Sequence, residues 1–180
     1  TTNTFGANSK TFTTKGEIKN CIKKGYEIAK KVVDGKALVF ADIGYIYEHE
    51  NVMFRNPQDE YVFLADTFLK LGARNYIFET FAEYDVAKPA MEHIKKNCSD
   101  ATIYITFAVS PDGLTSKGLN YIELIKNVMK DNIADGTGLN CICGPAHIKQ
   151  LMSHLIQTER ITAKLIAMPN SGYPSRVDNM

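Results

Sequence analysis

Gly138-Leu139-Asn140-Cys141-Ile142-Cys143-Gly144-Pro145 decides how this chain folds. A short apolar run ends in a carboxamide and a thiol. Gly144-Pro145 then opens a segment in which Ile148, Leu151, Met152 and Leu155 recur at helical spacing. A buried strand that delivers polar groups at its C-terminal end and passes at once into a helix is one βα unit.

The same unit repeats outward in both directions. Ala37 to Gly44, Tyr76 to Thr80, Ala101 to Phe107 and Lys164 to Met168 are further apolar, β-branched runs. They lack polar alternation, as expected of strands buried on both faces of a parallel sheet. Helical patterns lie between them. Asn56-Pro57 supplies an N-cap and a first-turn proline, after which Tyr61, Leu64, Phe68 and Leu71 repeat until Gly72. Ile122, Ile125 and Met129 mark another helix. No G-x-G-x-x-G and no P-loop is present, so nothing supports nucleotide binding on an open doubly wound sheet. Polar residues instead end several strands: Asn3, Asp42, Glu79, Thr106, Asn140 and Asn170. That pattern suits an α/β barrel, whose site is assembled at one face from many strand ends. A full barrel takes roughly 250 residues, so 180 residues predict an incomplete one, a single partial domain over 1–180.

Composition excludes some classes of partner. The net charge is +1, with 44% hydrophobic and 23% charged residues. Such a chain has no long-range field for nucleic acid or an anionic membrane. No apolar stretch approaches the roughly 20 residues of a membrane span, and the polar, Thr-rich start is unlike a signal peptide. Cys21, Cys98, Cys141 and Cys143 lack a disulfide-framework spacing, which predicts reduced thiols and a cytoplasmic chain. A C-x-C redox centre is disfavoured because neither thiol has a neighbouring base. His49, His93, His147 and His154 show no zinc spacing and read as surface or packing residues.

With its segments in order, the chain resembles the homocysteine S-methyltransferase family, a (β/α)8 TIM barrel. Thr2-Asn3-Thr4-Phe5-Gly6-Ala7-Asn8 resembles the end of the family's second strand. Asp42-Ile43-Gly44 resembles the third, with Tyr45 where the family often has proline. Phe78-Glu79-Thr80-Phe81 resembles the fourth and Asp112-Gly113-Leu114-Thr115-Ser116-Lys117-Gly118 the loop after the fifth. Gly138 to Cys141 with Gly144-Pro145 resembles the sixth, and Met168-Pro169-Asn170-Ser171-Gly172-Tyr173-Pro174 the seventh. The family's Asp-Gly first strand and its closing Gly-Gly-Cys-Cys-Gly segment have no counterpart here. The resemblance therefore implies strands 2 to 7 of a barrel, as an internal fragment or a truncated copy.

The resemblance also implies roles. Cys141 is expected to be one of three cysteine ligands to a catalytic zinc, with Asn170 completing the metal shell through its amide oxygen. A small buried cysteine and a turn-forming asparagine are the plainer readings of these two. Cys143 is a candidate substitute ligand. Glu79 is expected to receive the amino group of L-homocysteine, a structural ion pair being its plainer reading. Asn3, Thr4, Asp42, Thr106 and Asn140 are expected to line the same mouth as substrate-positioning groups. Zinc would activate the homocysteine thiolate for attack on a methyl donor, giving methionine. The donor would sit outside this chain, methylcobalamin charged from methyltetrahydrofolate on a cobalamin module being favoured over betaine or S-methylmethionine. A catalytically inactive fragment or structural module is the alternative, with its exposed sheet edges inviting homo-oligomers.

Overall fold

The computed structural model describes residues 1–47 and 53–171. Five helices and five strands alternate among them: α1 Lys15–Val33, β1 Phe40–Gly44, α2 Pro57–Lys70, β2 Asn75–Phe81, α3 Lys88–Asn97, β3 Thr102–Phe107, α4 Tyr121–Asp131, β4 Gly136–Asn140, α5 Pro145–Thr158 and β5 Lys164–Met168. All neighbouring pairs are parallel, and the strand order is β1-β2-β3-β4-β5. A doubly wound sheet reverses its order at a switch point. This sheet never does, so right-handed crossovers keep every connecting helix on one face. The sheet is a stretch of barrel wall.

Local chemistry sets the element ends. Thr14 and Glu17 form a reciprocal capping box on α1, Glu17 N–H donating to Thr14 Oγ1 at 3.2 Å and Thr14 N–H to Glu17 Oε2 at 3.0 Å. Asn56 Oδ1 accepts from Asp59 N–H at 2.8 Å, with Pro57 at the first turn of α2. Ile18, Ile22 and Tyr26 of α1, Tyr61, Leu64 and Phe68 of α2, and Ile148, Met152 and Leu155 of α5 are buried. The stripe of α4 differs from its sequence reading. Tyr121, Leu124, Ile125 and Val128 face the core, while Ile122 and Met129 are half-buried, because Tyr121 anchors the first turn by donating to Leu151 O at 3.0 Å.

The first residues form no strand. Thr2 N–H donates to Phe40 O at 3.0 Å, but Asp42 N–H turns to Thr2 Oγ1 at 3.0 Å instead of to a backbone carbonyl. Thr4 Oγ1 donates to Asp42 O at 2.9 Å. Side chains thus replace a ladder along the β1 edge, and the chain then turns through Ala7 N–H to Thr4 O. At the other edge, Lys164, Ala167 and Met168 of β5 are exposed. Gly138 lets β5 approach, since a Cβ there would meet Ile166 O at 1.8 Å.

Candidate functional site

The C-terminal ends of β1, β2 and β4 open onto a cavity of about 570 Å³, within the size range of small-molecule sites. Phe5, Tyr45, Ile46 and Tyr47 supply its apolar lining; Glu79, Thr80 and Cys141 supply its chemistry. The aromatic residues and Thr80 carried no functional signal in the sequence.

Two departures from regular strand build this mouth. In β2, Phe78 pairs with Ile105 and Phe81 with Phe107, so three steps on β2 match two on β3. The extra residue is a bulge. Thr80 sits there at φ 65°, an uncommon conformation for a β-branched side chain. The bulge brings consecutive residues, Glu79 and Thr80, to one cavity, which regular alternation forbids. In the second departure, Cys141 and Ile142 both adopt left-handed backbone, φ 56° and 50°. Strand β4 therefore stops at Asn140. The two thiols part company. Cys141 is half-exposed on the cavity, whereas Cys143 is fully buried with Sγ donating to Val109 O at 3.1 Å. Burial pushes the Cys143 thiol up, and Cys143 is not among the residues that line the cavity.

Asn140 organises the space between them. Its Oδ1 accepts from Thr80 N–H at 3.0 Å and its Nδ2 donates to Thr80 Oγ1 at 2.9 Å. The same Nδ2 lies 3.3 Å from Cys141 Sγ, and Thr80 Oγ1 lies 3.7 Å from it. The Cys141 sulfur is thus held by two hydrogen-bond donors on residues from two strands.

Glu79 lies beside Asp42. Asp42 is 2% exposed. Burial and then the charge of Glu79 push its carboxyl up to about 7, and burial also raises Glu79. Tyr45 donates to Glu83 Oε1 at 2.6 Å, which fixes the ring where the family often has proline. Opposite Gly44, the loop carrying Phe5 is pressed close, for a Cβ on Gly44 would meet Phe5 O at 2.6 Å. Glu60, fully buried, pins that loop by accepting from Ser9 N–H at 2.6 Å and Ser9 Oγ at 2.7 Å.

The other sequence candidates scatter. Asn3, at φ 53°, is exposed in a separate groove with Gly25, Ile28 and Val32. Thr4 is buried as a backbone tie to Asp42. Thr106 is fully buried in β3, its Oγ1 without a partner among the described residues, and lies outside the cavity lining. Asn170 is half-buried, and its N–H donates to Cys143 O at 3.0 Å, which sets it beside the end of β4. His93 Nε2 lies 3.5 Å from Asp66 Oδ1. His49 and Gly172-Tyr173-Pro174 lie outside the described residues. Among the described residues no group of three or more His, Cys, Asp or Glu could hold a metal ion. No helix among them is long and apolar enough to cross a membrane.

A partial α/β barrel with a thiol and a carboxyl on one strand-end cavity defines the class. The family model described as homocysteine S-methyltransferase matches residues 1–180, and the chain belongs to that family. Its fold is similar to that of the homocysteine methyltransferase MmuM from Escherichia coli. The apo form superposes with a TM-score of 0.61 at 19% identity, covering 87% of this chain and 58% of that one. The metallated form gives 0.63 at 17% identity, covering 87% and 57%. The chain thus spans less than three-fifths of the length of either structure. No curated protein sequence matches it.

Proposed function

We propose that this chain is the homocysteine-binding part of a homocysteine S-methyltransferase. The observation that carries the reading is the placement of Glu79 and Cys141 on one cavity, a carboxylate for an ammonium and a soft sulfur at its mouth. The overall reaction moves a methyl group onto the sulfur of L-homocysteine, which loses its thiol proton, and yields methionine.

Within this chain, Glu79 receives the substrate's amino group. Asn140 and Thr80 hold Cys141, and the Tyr45 and Tyr47 rings keep water from the cavity. Asp42 and Asn140 are positioning groups; Asn3, Thr4 and Thr106 would act only through the segments they brace. Cys141 fits as a single thiolate ligand to zinc and Asn170 as an amide-oxygen donor, but the described residues do not make a complete centre. The remaining ligands belong to the whole protein. Zinc, when bound, supplies Lewis-acid activation of a thiol near neutral pH. The methyl donor is outside the chain, and methylcobalamin charged from methyltetrahydrofolate on a partner module is the favoured source. The protein works in the cytoplasm, without nucleic acid or membrane partners.

The incomplete ligand set and the exposed β5 edge favour a second reading for the chain by itself. In that reading the 180 residues are an inactive module that associates through its open edges, as unpaired strands do. Elemental analysis of the purified, reduced, zinc-loaded chain separates the two. Stoichiometric zinc that is lost in Cys141→Ala supports a working metal site. A folded chain without zinc leaves the methyltransferase reading to the whole protein.

A further inference from the structure

One oxygen of the buried Asp42 carboxyl lacks the donor that a buried carboxylate requires. Its side chain is 2% exposed, and its Oδ1 has no hydrogen-bond donor among the described residues. The nearby Thr2 and Thr4 hydroxyls are committed to the Asp42 backbone, not to its carboxyl. What the carboxyl does face is a second acid: Glu79 is in register with Gly44, two residues beyond Asp42 on the same face of β1, and the two carboxyls act on each other. The Thr1 side chain, by hydrogen bonding, and the Thr1 ammonium, by its charge, pull the Asp42 carboxyl the other way, and burial and Glu79 outweigh them. Across the cavity, the titratable groups that share its lining with Glu79 are Lys10, Tyr45, Tyr47 and Cys141.

Ionised carboxylates only accept hydrogen bonds. Two in contact therefore need a proton between them, and like charges this close cannot both form without cost. Burial opposes the charge on both members, which reinforces the same conclusion.

We propose that Asp42 and Glu79 share one proton in the ligand-free cavity and that the ammonium group of an amino-acid ligand displaces it. The pair passes from one negative charge to two as the ligand brings one positive charge and a proton leaves for solvent. No covalent bond changes. Asp42 is thereby a substrate-positioning residue in its own right, coupling ligand capture to pH. The identity of the ligand as homocysteine rests on the function proposed above; the shared proton does not.

Carboxyl ¹³C NMR titration of the whole chain tests the first half. Asp42 is expected to titrate near 7, and Asp42→Asn should abolish that transition while keeping the fold, since its amide can donate to Glu79. Titration of Asp42 in the ordinary carboxylate range overturns the proposal. Calorimetry with L-homocysteine at weakly acid pH, in two buffers of different ionisation enthalpy, tests the second half. Release of about one proton is expected for the wild-type chain and none for Asp42→Asn. Its deamino analogue, mercaptobutyrate, should release none. Homocysteine that binds, judged by shifted Thr80 and Cys141 amide signals, without releasing a proton overturns the displacement. Homocysteine that moves none of these signals overturns the reading of the cavity and the displacement with it, while the ligand-free titration still decides the shared proton.

Discussion

Asn140 and Thr80 grip each other across the end of β3, the amide of one matched to the N–H and hydroxyl of the other at 3.0 and 2.9 Å. Strands β2 and β4 are not neighbours in the sheet. The left-handed Thr80 withdraws its N–H from the ladder, and Asn140 takes it up. The mouth of the cavity is therefore a cross-strand device with Cys141 Sγ at its edge.

Asn140→Ala removes the acceptor of the Thr80 N–H and a donor to the Cys141 sulfur. Leaving a fully buried donor unsatisfied costs about 1–3 kcal/mol, and the half-buried Thr80 N–H falls at the low end, about 1 kcal/mol. Urea unfolding should show a loss of that size, with Asn140→Asp intermediate because it keeps the acceptor. A loss within error of zero would mean that the bulge at Thr80 is held by something else.

The four thiols should differ in reactivity by burial. Cys21 and Cys141 are partly exposed, whereas Cys98 and Cys143 are buried. Native-state alkylation read by mass spectrometry is expected to modify the first two and spare the second two until the chain is unfolded. Modification of Cys143 at the rate of Cys141 would place both thiols on one face and restore Cys143 as a ligand candidate.

Stability should fall as pH rises from about 4 to 7, because Asp42 titrates higher in the folded chain than its ordinary 3.8. The native state binds more protons over that window, so the contribution is full below 3.8 and lost as pH passes about 7. At about 1.4 kcal/mol per pKa unit the change amounts to a few kcal/mol. Asp66 and Asp131, held low by Lys70 and Lys88, act oppositely and lose their contribution as pH falls. Urea midpoints across this range should decline for the wild-type chain and stay flatter for Asp42→Asn. An equal decline in both would locate the titrating group elsewhere.

Glu60→Ala should cost about 2 kcal/mol or more, since it strips the carboxylate acceptors from Ser9 N–H and Oγ and hydrogen bonds to charged groups are worth about 1.5–3 kcal/mol each. The same change should raise amide exchange at Ser9 and through the loop of residues 5–12 while α2 stays protected. Unchanged exchange in the loop would show that its contact with Gly44 suffices to hold it.

Much of this was legible in the sequence because it depends on local chemistry. The Asn56-Pro57 cap, the Gly72 stop and the apolar runs of β1 to β5 are set by residues a few positions apart. Glu79 and Cys141 stood out through the resemblance of their segments to the family, while a structural ion pair and a small buried cysteine remained their plainer readings. What stayed hidden depends on tertiary contact. Thr80 reads as an ordinary β-branched strand residue, and the acceptor for the N–H of its left-handed backbone comes from Asn140, sixty positions away. The split between Cys141 and Cys143 has the same origin, since two consecutive left-handed residues break the alternation that a C-x-C spacing presumes. The segment Thr2-Asn3-Thr4 forms no strand because, beyond the single Thr2 N–H bond to Phe40 O, the Thr2 and Thr4 hydroxyls take the β1 backbone groups.

The central claim is that Glu79 and Cys141 serve one homocysteine site. Calorimetric titration of L-homocysteine into the zinc-loaded chain, beside Glu79→Gln and Cys141→Ala, tests it most directly. The account predicts saturable binding that weakens at least about tenfold, or 1.4 kcal/mol, in each variant. Binding indifferent to both substitutions, or none in a folded and zinc-loaded chain, would contradict it.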